Sequence, residues 1–393
     1  MVRWIPDGSP ARKLSSYADV PPVPQDVLPA ALMRPRVTSA LPDMINVKDK
    51  PYRAAGDGTT DDTRAIQKAL DDRCNRKTPK AIFFPEGNYR ITNTLYLNHH
   101  AGGSCRAAFP YGGWIAGAGS ASTVIRMDPG LKKGVFATDG LAAATIQGLT
   151  FKTWSYRAGD PAEMNFDIEF YPGYLASQLN TLFDVVFDGG FGGLAIGVKY
   201  PTGAQCSSIV VFGGEIKNTH IGMISGHYNA LANGVVASRL LDNDYALGSW
   251  TDLSNQGTHP PMPPGGTFFA YDSVSRGTRL QDFLFAGSAG GSVWYFHDYT
   301  SDAPRFFASK PTSAPWPIMF DRARLEPRPG AEYLFDVASS QGPFFLHSHV
   351  TRSAIRIGQT SMGQSYAIKL HSRIADWSAA VAPSQHGQTD SLD

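Results

Sequence analysis

A repeat in the middle of the chain places the strongest constraint on its fold. The stretches LFDVVFDGGFGGLAIG, SSIVVFGGEIKNTHIG and GVVASRLLDNDYALG can be laid over one another, and they end at Gly197, Gly222 and Gly248. Farther on, Leu325 and Val350 recur at nearly the same spacing. Each unit reads as strand, turn and strand without a helix, which is the pattern of a β-solenoid. A propeller blade would need about 40–45 residues, which is more than the spacing of these glycines, so the repeat does not fit a propeller.

Alternation within one repeat separates the predicted core from the predicted surface. Successive residues of a strand point to opposite faces. Phe183, Val185 and Phe187 are therefore predicted to point inward, where they stack on their equivalents in neighbouring repeats. Asp184 and Asp188 are predicted to point outward. The expected fold class is all-β, a parallel β-helix.

An amphipathic helix is predicted before the repeat, in GDGTTDDTRAIQKAL at residues 56–70. Thr59 and Thr60 are N-cap candidates, and the two aspartates that follow favour the first turn of a helix. Four residues form one apolar stripe: Ala65, Ile66, Ala69 and Leu70. The open end of a solenoid exposes strand edges and core side chains. We therefore predict that this helix caps the first coil.

Composition and charge exclude several classes of partner and site. The 393 residues carry a formal net charge of +1, so attraction to nucleic acid or to an anionic membrane is not expected. No apolar run approaches the ~18 residues of a membrane-spanning helix. Cys74, Cys105 and Cys206 lack the spacing of zinc or redox motifs, so no metal site is predicted. Whether Cys74 pairs with Cys105 stays open.

The two ends of the chain differ in composition from the repeat. Residues 1–45 are Pro-rich and aperiodic and are predicted to form an extended arm. Residues 46–375 are predicted to form the β-helix domain with its cap. Residues 376–393 are predicted to be a polar C-terminal tail.

The cap region resembles a known superfamily. INVKDKPYRAAGDGTTDDTRAIQKAL followed by AIFFPEGNYRIT is similar to the N-terminal cap of the pectate lyase-like superfamily, over residues 45–127. The resemblance implies a right-handed parallel β-helix with an N-terminal capping α-helix. It also implies a carbohydrate ligand, bound along a groove on one outer sheet. The superfamily includes hydrolases, lyases, epimerases and adhesins, so the reaction stays open.

Candidate catalytic residues come from geometry, because the catalytic motifs of the superfamily are not matched. Glycoside hydrolysis uses two carboxyl groups about 5–5.5 or 6.5–9.5 Å apart, and neighbouring coils stack at about 4.7–4.9 Å. Counted from the repeat glycines, Glu215 and Asp242 are predicted to lie one above the other. Asp188 is predicted to extend this ladder, and Asp244 to lie beside it. Such crowding of like charges raises at least one pKa.

Predicted substrate-binding residues lie in the same part of the chain. Arg239 is expected to face outward and to pair with Asp242 or a uronate carboxylate. Trp250 begins a long interruption of the repeat and is predicted to stack on a sugar. The remaining predicted binding residues are His227, Tyr228, Asn229 and Tyr245. LDNDY also has the chemistry of a plain turn, an alternative that stays open.

The sequence predicts an enzyme that cleaves a polysaccharide without a resident cofactor. Hydrolysis ranks ahead of β-elimination, because acids outnumber bases near the repeat. A lyase would need a base such as Arg239, Lys217, His220 or Tyr245, and calcium can then take part. The alternative from another class is a non-catalytic, trimeric spike or adhesin. Secretion, or a place at the cell surface or in the periplasm, is expected, although the start MVRWIPDGSPARK has no apolar signal core.

Overall fold

The chain forms a parallel β-helix with one α-helix in its described part. The computed structural model describes residues 44–74, 81–97, 111–157, 166–171, 177–197, 206–225, 230–250, 266–286, 292–308, 318–326, 328, 335–337, 344–346, 348–350, 355–357 and 370–371. Parallel pairings join its strands into sheets of 23 and 10 strands. The larger sheet bends once in every coil, so each coil contributes to three ladders of stacked strands. This confirms the predicted fold class.

The ladders are numbered in the order in which the chain passes through them. Ladder 1 contains Ile45–Asn46, Ile82–Phe84, Tyr111–Gly117, the first part of Ala142–Lys152, Ser177–Gln178, the first part of Thr181–Asp188, Cys206–Ser207, Val210–Phe212, Asn233–Val236, Gly266–Tyr271, Ser292–His297, Ile318–Asp321, Phe344–Leu346 and Leu370–His371. Ladder 2 contains Asp57–Asp61, Gly87–Ile91, Thr123–Met127, the second parts of Ala142–Lys152 and Thr181–Asp188, Glu215–Lys217, Arg239–Leu241, Val274–Arg276, Thr300–Ser301, Arg324–Leu325 and His349–Val350. Ladder 3 contains Leu95–Tyr96, Phe136–Asp139, Phe166–Tyr171, Gly192–Ile196, Ile221–Ser225, Tyr245–Trp250, Gln281–Ala286, Phe307–Ala308, Phe335–Val337 and Ile355–Ile357.

The capping helix is Thr63–Cys74, and its apolar stripe lies where the sequence predicts. Ile66, Ala69 and Leu70 are at most 1% exposed and join the main core. The helix contacts Ile82–Phe84 of ladder 1 and Leu95–Tyr96, the first strand of ladder 3. The predicted cap of the first coil is confirmed.

The helix begins later than predicted, because the segment before it is a strand. Asp57–Asp61 pairs with Gly87–Ile91 in ladder 2. The Asp57 carboxylate accepts hydrogen bonds from the N–H groups of Thr59 and Thr60, both at 2.8 Å. Thr59 and Thr60 are therefore not N-caps. Asp62 precedes the helix and accepts hydrogen bonds from two N–H groups of the loop before it.

The inward and outward faces follow the predicted alternation, except where the chain bends between ladders 1 and 2. Val185 and Phe187 are fully buried in the main core, as predicted. Asp184 has a φ of 49°, and this left-handed residue turns the chain between the two ladders. The bend shifts the alternation by one residue. Leu182 therefore points into the core instead of Phe183.

The coils differ in length, so the repeat glycines are not equivalent positions. Leu194, Met223 and Leu247 occupy the same place in ladder 3, and the coil that ends at Met223 is longer than the one that ends at Leu247. Gly248 pairs with Ile224, not with Gly222. The register predicted from these glycines is therefore wrong. The register of Leu325 with Val350 is confirmed.

Among the buried acidic side chains of the described residues, that of Asp282 is enclosed most completely. Asp282 is fully buried, and the Ser275 hydroxyl donates a hydrogen bond to it at 2.5 Å. The Tyr299 hydroxyl donates a second one at 3.3 Å. Burial raises the pKa of Asp282 to about 6, although these hydroxyl groups oppose the shift.

We expect the contribution of Asp282 to stability to fall as the pH rises from 3.8 to about 6, because the folded state retains the Asp282 proton over this range and the unfolded chain releases it. Asp282→Asn should remove this slope and raise the free energy of unfolding at neutral pH by up to about 3 kcal/mol. Thermal unfolding at several pH values measures both effects. Asp49→Asn, at an exposed carboxyl, is the control. An unchanged slope in Asp282→Asn would contradict this assignment.

Candidate functional site

The predicted carboxylate ladder is not formed. Glu215 lies opposite Arg239 in the next coil, and Asp242 lies beyond the strand, in the turn. Asp188 lies opposite Lys217. The carboxylates are offset along the strands because coil length varies. The expectation that Glu215 and Asp242 lie one above the other is therefore wrong.

Two of these carboxylates are held by cations and a third lies in a turn. Glu215 accepts hydrogen bonds from Lys217 and Arg239, both at 2.6 Å. Arg239 thus faces outward as predicted, but its partner is Glu215 and not Asp242. Asp188 lies 3.5 Å from the Lys152 ammonium group. Asp242 is exposed and has a φ of 52°, which is turn geometry.

Four of the predicted binding residues have side chains outside the described part of the structure. His227, Tyr228 and Asn229 lie outside the described residues. Trp250 ends a strand of ladder 3, and its side chain is not among those described. Their roles stay predictions.

Asp244 and Tyr245, in contrast, lie in a well-defined cluster at the turn between ladders 2 and 3. His220 Nδ1 lies 2.7 Å from one Asp244 oxygen. Arg279 Nε donates to the other oxygen at 2.5 Å. Arg279 also donates to the carbonyl oxygens of Asp242 and Thr219. We call this the Asp244 cluster; it consists of Tyr156, Phe191, His220, Asp244, Tyr245 and Arg279.

Aromatic rings surround the imidazole of His220. The Tyr156 ring lies 4.7 Å from it at an angle of 33°, and the Phe191 ring lies 5.2 Å away. Tyr245 approaches at 5.3 Å, edge to face. Burial alone would raise the pKa of Asp244, but the hydrogen bonds from His220 and Arg279 lower it below its usual value. Asp244 is therefore an anion that fixes the His220 ring.

A second cluster lies at the turn between ladders 1 and 2. Asp272 and Asp298 follow the paired residues Tyr271 and His297, so they occupy equivalent positions on neighbouring coils. Their φ values are 47° and 49°. We call this the Asp298 cluster; it consists of Tyr271, Asp272, Tyr295, His297, Asp298, Asp321 and Arg322.

His297 connects the aspartates of this cluster. Its Nδ1 lies 2.9 Å from Asp321, and its Nε2 lies 3.2 Å from Asp298. Arg322 donates to the Asp298 carboxylate and to His297 Nε2. The Tyr295 hydroxyl donates to Asp321 at 3.3 Å. Asp298 thus has a cationic partner and a histidine beside it.

Asp272 differs from its neighbours because it has no ion-pair partner among the described residues. Burial raises its pKa, and the negative charge of Asp298 raises it further. The two carboxyl groups therefore have different surroundings although they occupy equivalent positions. Beside them, the rings of Tyr271 and Tyr295 lie 5.6 Å apart on the outer face of ladder 1.

The sequence contains a signal for the pairing of Asp272 with Asp298, which the register counted from the repeat glycines does not use. Aspartate follows a strand that ends in an aromatic residue or histidine in AYDSV and again, one coil later, in YFHDYT. The aromatic residues of these strands divide as alternation requires. Phe268 and Trp294 point into the core, whereas Tyr271 and Tyr295 point outward.

In the described part of the chain, no three or more His, Cys, Asp and Glu side chains are grouped to hold a metal ion. No helix in the described segments has the length and apolarity to cross a membrane. Cys206 is buried, and its thiol donates to the carbonyl oxygen of Phe170 at 3.9 Å.

Comparison with known proteins agrees with this fold. Residues 44–156 match the family model described as rhamnogalacturonase A/epimerase, pectate lyase-like. The fold is that of the pectate lyase-like superfamily. The matched segment contains the capping helix and the first coils, which are also the residues that carry the resemblance in the sequence.

Three relatives describe the range of similarity. A glucan 1,3-beta-glucosidase from Cochliobolus carbonum is 48% identical over 44 residues, which are 11% of this chain and 5% of that protein. The Agl-KA catalytic domain has a TM-score of 0.60 at 15% identity, over 87% of this chain and 59% of that one. The catalytic domain of a GH87 alpha-1,3-glucanase in complex with tetrasaccharides has a TM-score of 0.53 at 14% identity, over 87% and 60%. This chain spans less than two thirds of the length of each relative.

We expect Asp244→Asn to lower the free energy of unfolding at neutral pH by about 1–3 kcal/mol, because it removes two charge-assisted hydrogen bonds. Since the pKa of Asp244 is lowered, its contribution is present above pH 3.8 and is lost as the pH falls below that value. Thermal unfolding at neutral and acidic pH measures the difference. If Asp244→Asn lowers the free energy of unfolding equally at neutral and at acidic pH, the variant has lost packing and not a charge interaction.

Proposed function

We propose that this protein is a glycoside hydrolase that cleaves a polysaccharide at the Asp298 cluster. The observation that carries the proposal is the stacking of Asp272 on Asp298 in neighbouring coils, with Tyr271 and Tyr295 beside them. Paired carboxylates are what glycoside hydrolysis requires. The glucan-degrading names of two relatives support the same class of substrate. Elimination is the alternative reaction.

The unequal surroundings of the two carboxyl groups assign their roles. Asp272, whose pKa is raised by burial and by the charge of Asp298, acts as the general acid and donates a proton to the glycosidic oxygen as the bond breaks. Asp298, which Arg322 and His297 hold in place, attacks the anomeric carbon and forms a glycosyl ester. Water then cleaves the ester, and Asp272 takes the proton from that water. The enzyme returns to its starting state.

The aromatic face of ladder 1 supports binding of the sugar next to these groups. Phe269 and Tyr271 are stacked at 4.8 Å, and Tyr295 lies against Tyr271 on the next coil. Aromatic rings in such positions offer flat apolar surfaces, and their hydroxyl groups can bind polar atoms. The cluster contains three carboxyl groups and one arginine. A neutral sugar therefore fits it better than a uronate.

The catalytic assignment is tested by Asp272→Asn and Asp298→Asn. Both should lower the rate of hydrolysis by about 10²–10⁴-fold, because each removes one of the two groups that act in the reaction. The assay follows reducing ends and the ultraviolet absorbance of unsaturated products on neutral, uronate-containing and bacterial polysaccharides. 1,3-Glucans of both anomeric types belong to the panel, since the relatives carry these names.

Matched variants separate this site from its alternatives. Asp49→Asn makes the same chemical change at an exposed carboxyl and should leave the rate unchanged. Glu215→Gln and Asp242→Asn test the pair first predicted from the sequence, and a loss in these variants alone would contradict the Asp298 cluster. Unsaturated products would indicate elimination. No product on any substrate would favour the non-catalytic spike or adhesin.

The stacking also predicts the stereochemistry of the product. Neighbouring coils lie about 4.8 Å apart, close to the separation of about 5–5.5 Å in retaining enzymes. We therefore expect the anomeric configuration to be retained. Proton NMR of the first product formed distinguishes the anomers before mutarotation. Inversion would show that the second carboxyl group is a more distant one, such as Asp321.

A further inference from the structure

The Asp244 cluster has no part in the proposed hydrolysis, yet it has features of a binding site. It lies at the turn between ladders 2 and 3, whereas the Asp298 cluster lies at the turn between ladders 1 and 2. The ladder 2 strand Val274–Arg276 separates the two turns in its coil. Three residues of strand span about 10 Å. The two clusters are thus separate places on the molecular surface.

The position that His220 and Asp244 occupy does not require polar residues. Phe191 has the same position one coil earlier, and there it is 3% exposed and packs against Phe166. An apolar residue therefore satisfies the fold at this position. At the next two coils the chain instead places an imidazole and a carboxylate. Burying such a pair confers little stability in itself.

The hydrogen bonds of the cluster leave one nitrogen for a ligand. Asp244 occupies Nδ1 of His220, and Arg279 makes three hydrogen bonds to Asp244 and the turn carbonyl groups. Among the described residues, no hydrogen-bond partner is found for His220 Nε2. The imidazole is partly exposed, with 21% of its side-chain surface accessible. It is held rigidly, so binding through Nε2 costs little conformational entropy.

The surfaces around this nitrogen are mostly aromatic or apolar. Tyr156, Phe191 and Tyr245 surround the ring, as described above. Leu280, in the corresponding turn of the next coil, is 50% exposed. An apolar surface with few convergent polar groups is typical of a site for a small uncharged ligand. Arg279 is already paired with Asp244, and the six residues of the cluster include no other arginine or lysine; the charge of Arg305 acts on Tyr245 from outside the cluster.

We propose that the Asp244 cluster is a second carbohydrate-binding site, which takes one neutral sugar unit of a glycan through His220 Nε2 and the Tyr156 ring. The proposal rests on the proposed function only for the choice of a glycan as the ligand. The site is non-catalytic. It would hold a polysaccharide on the protein while another part of the same chain occupies the Asp298 cluster.

The test uses the Asp298→Asn protein, so that binding is measured without cleavage. Laminarin, a soluble neutral 1,3-glucan, is the probe, and polygalacturonate is its anionic counterpart. In isothermal titration calorimetry, Tyr156→Ala or His220→Gln in this background should weaken laminarin binding by about tenfold, or about 1.4 kcal/mol. Tyr156→Phe keeps the ring and should bind within about twofold. Circular dichroism and thermal unfolding identify any variant that fails to fold.

Each outcome separates this proposal from the hydrolytic one. Unchanged laminarin binding in both Tyr156→Ala and His220→Gln, or no laminarin binding at all, would overturn it. Equal affinity for polygalacturonate would overturn the neutral specificity. If binding depends on Tyr156 but no substrate is cleaved, the second site stands and the hydrolase does not. If cleavage depends on Asp272 and Asp298 but binding is unaffected by Tyr156, the hydrolase stands alone.

Discussion

The parallel hydrogen-bonded register between coils is the constraint on which the rest of this structure depends. Backbone groups of each strand bind those of the next coil at a spacing of about 4.8 Å, so every side chain has a neighbour at a fixed distance. In the core this stacks Phe151 on Phe187 at 5.5 Å. On the surface it places Asp272 beside Asp298 and His220 beside Asp244. The repulsion between Asp272 and Asp298 and the attraction between His220 and Asp244 thus arise from the same register.

The turn between ladders 1 and 2 shows that the paired aspartates are not a requirement of the fold. The equivalent left-handed residues of successive coils are Gly148, Asp184, Gly213, Ala237, Asp272, Asp298 and Arg322. Glycine adopts this conformation most easily, and aspartate better than most others. Ala237 and Arg322 show that the turn also accepts residues with no such preference. Two successive carboxylates are therefore better explained by their chemistry than by the backbone.

Local features of the fold could be predicted from the sequence, whereas the register could not. The apolar stripe of the cap and the inward positions of Val185 and Phe187 can be predicted because they depend on neighbours a few residues away. Register depends on coil length, and the coil from Leu194 to Met223 is longer than the coil from Met223 to Leu247. Nothing local in the sequence reports that change. The register counted from the repeat glycines therefore pairs Glu215 with Asp242 wrongly. It selects Asp244 as a site residue but does not predict the contacts of Asp244 with His220 and Arg279.

Asp272 differs from Asp244, Asp298 and Glu215 because no cation is paired with its carboxyl group among the described residues. Arg279 binds Asp244, Arg322 binds Asp298, and Lys217 and Arg239 bind Glu215. An adjacent cation favours the ionised form of a carboxyl group, which disfavours proton donation. Asp272 has no such partner among the described residues, and it faces an ionised neighbour of the same sign. A general acid needs this environment, so the absence of a partner supports its assignment as strongly as the presence of Asp298.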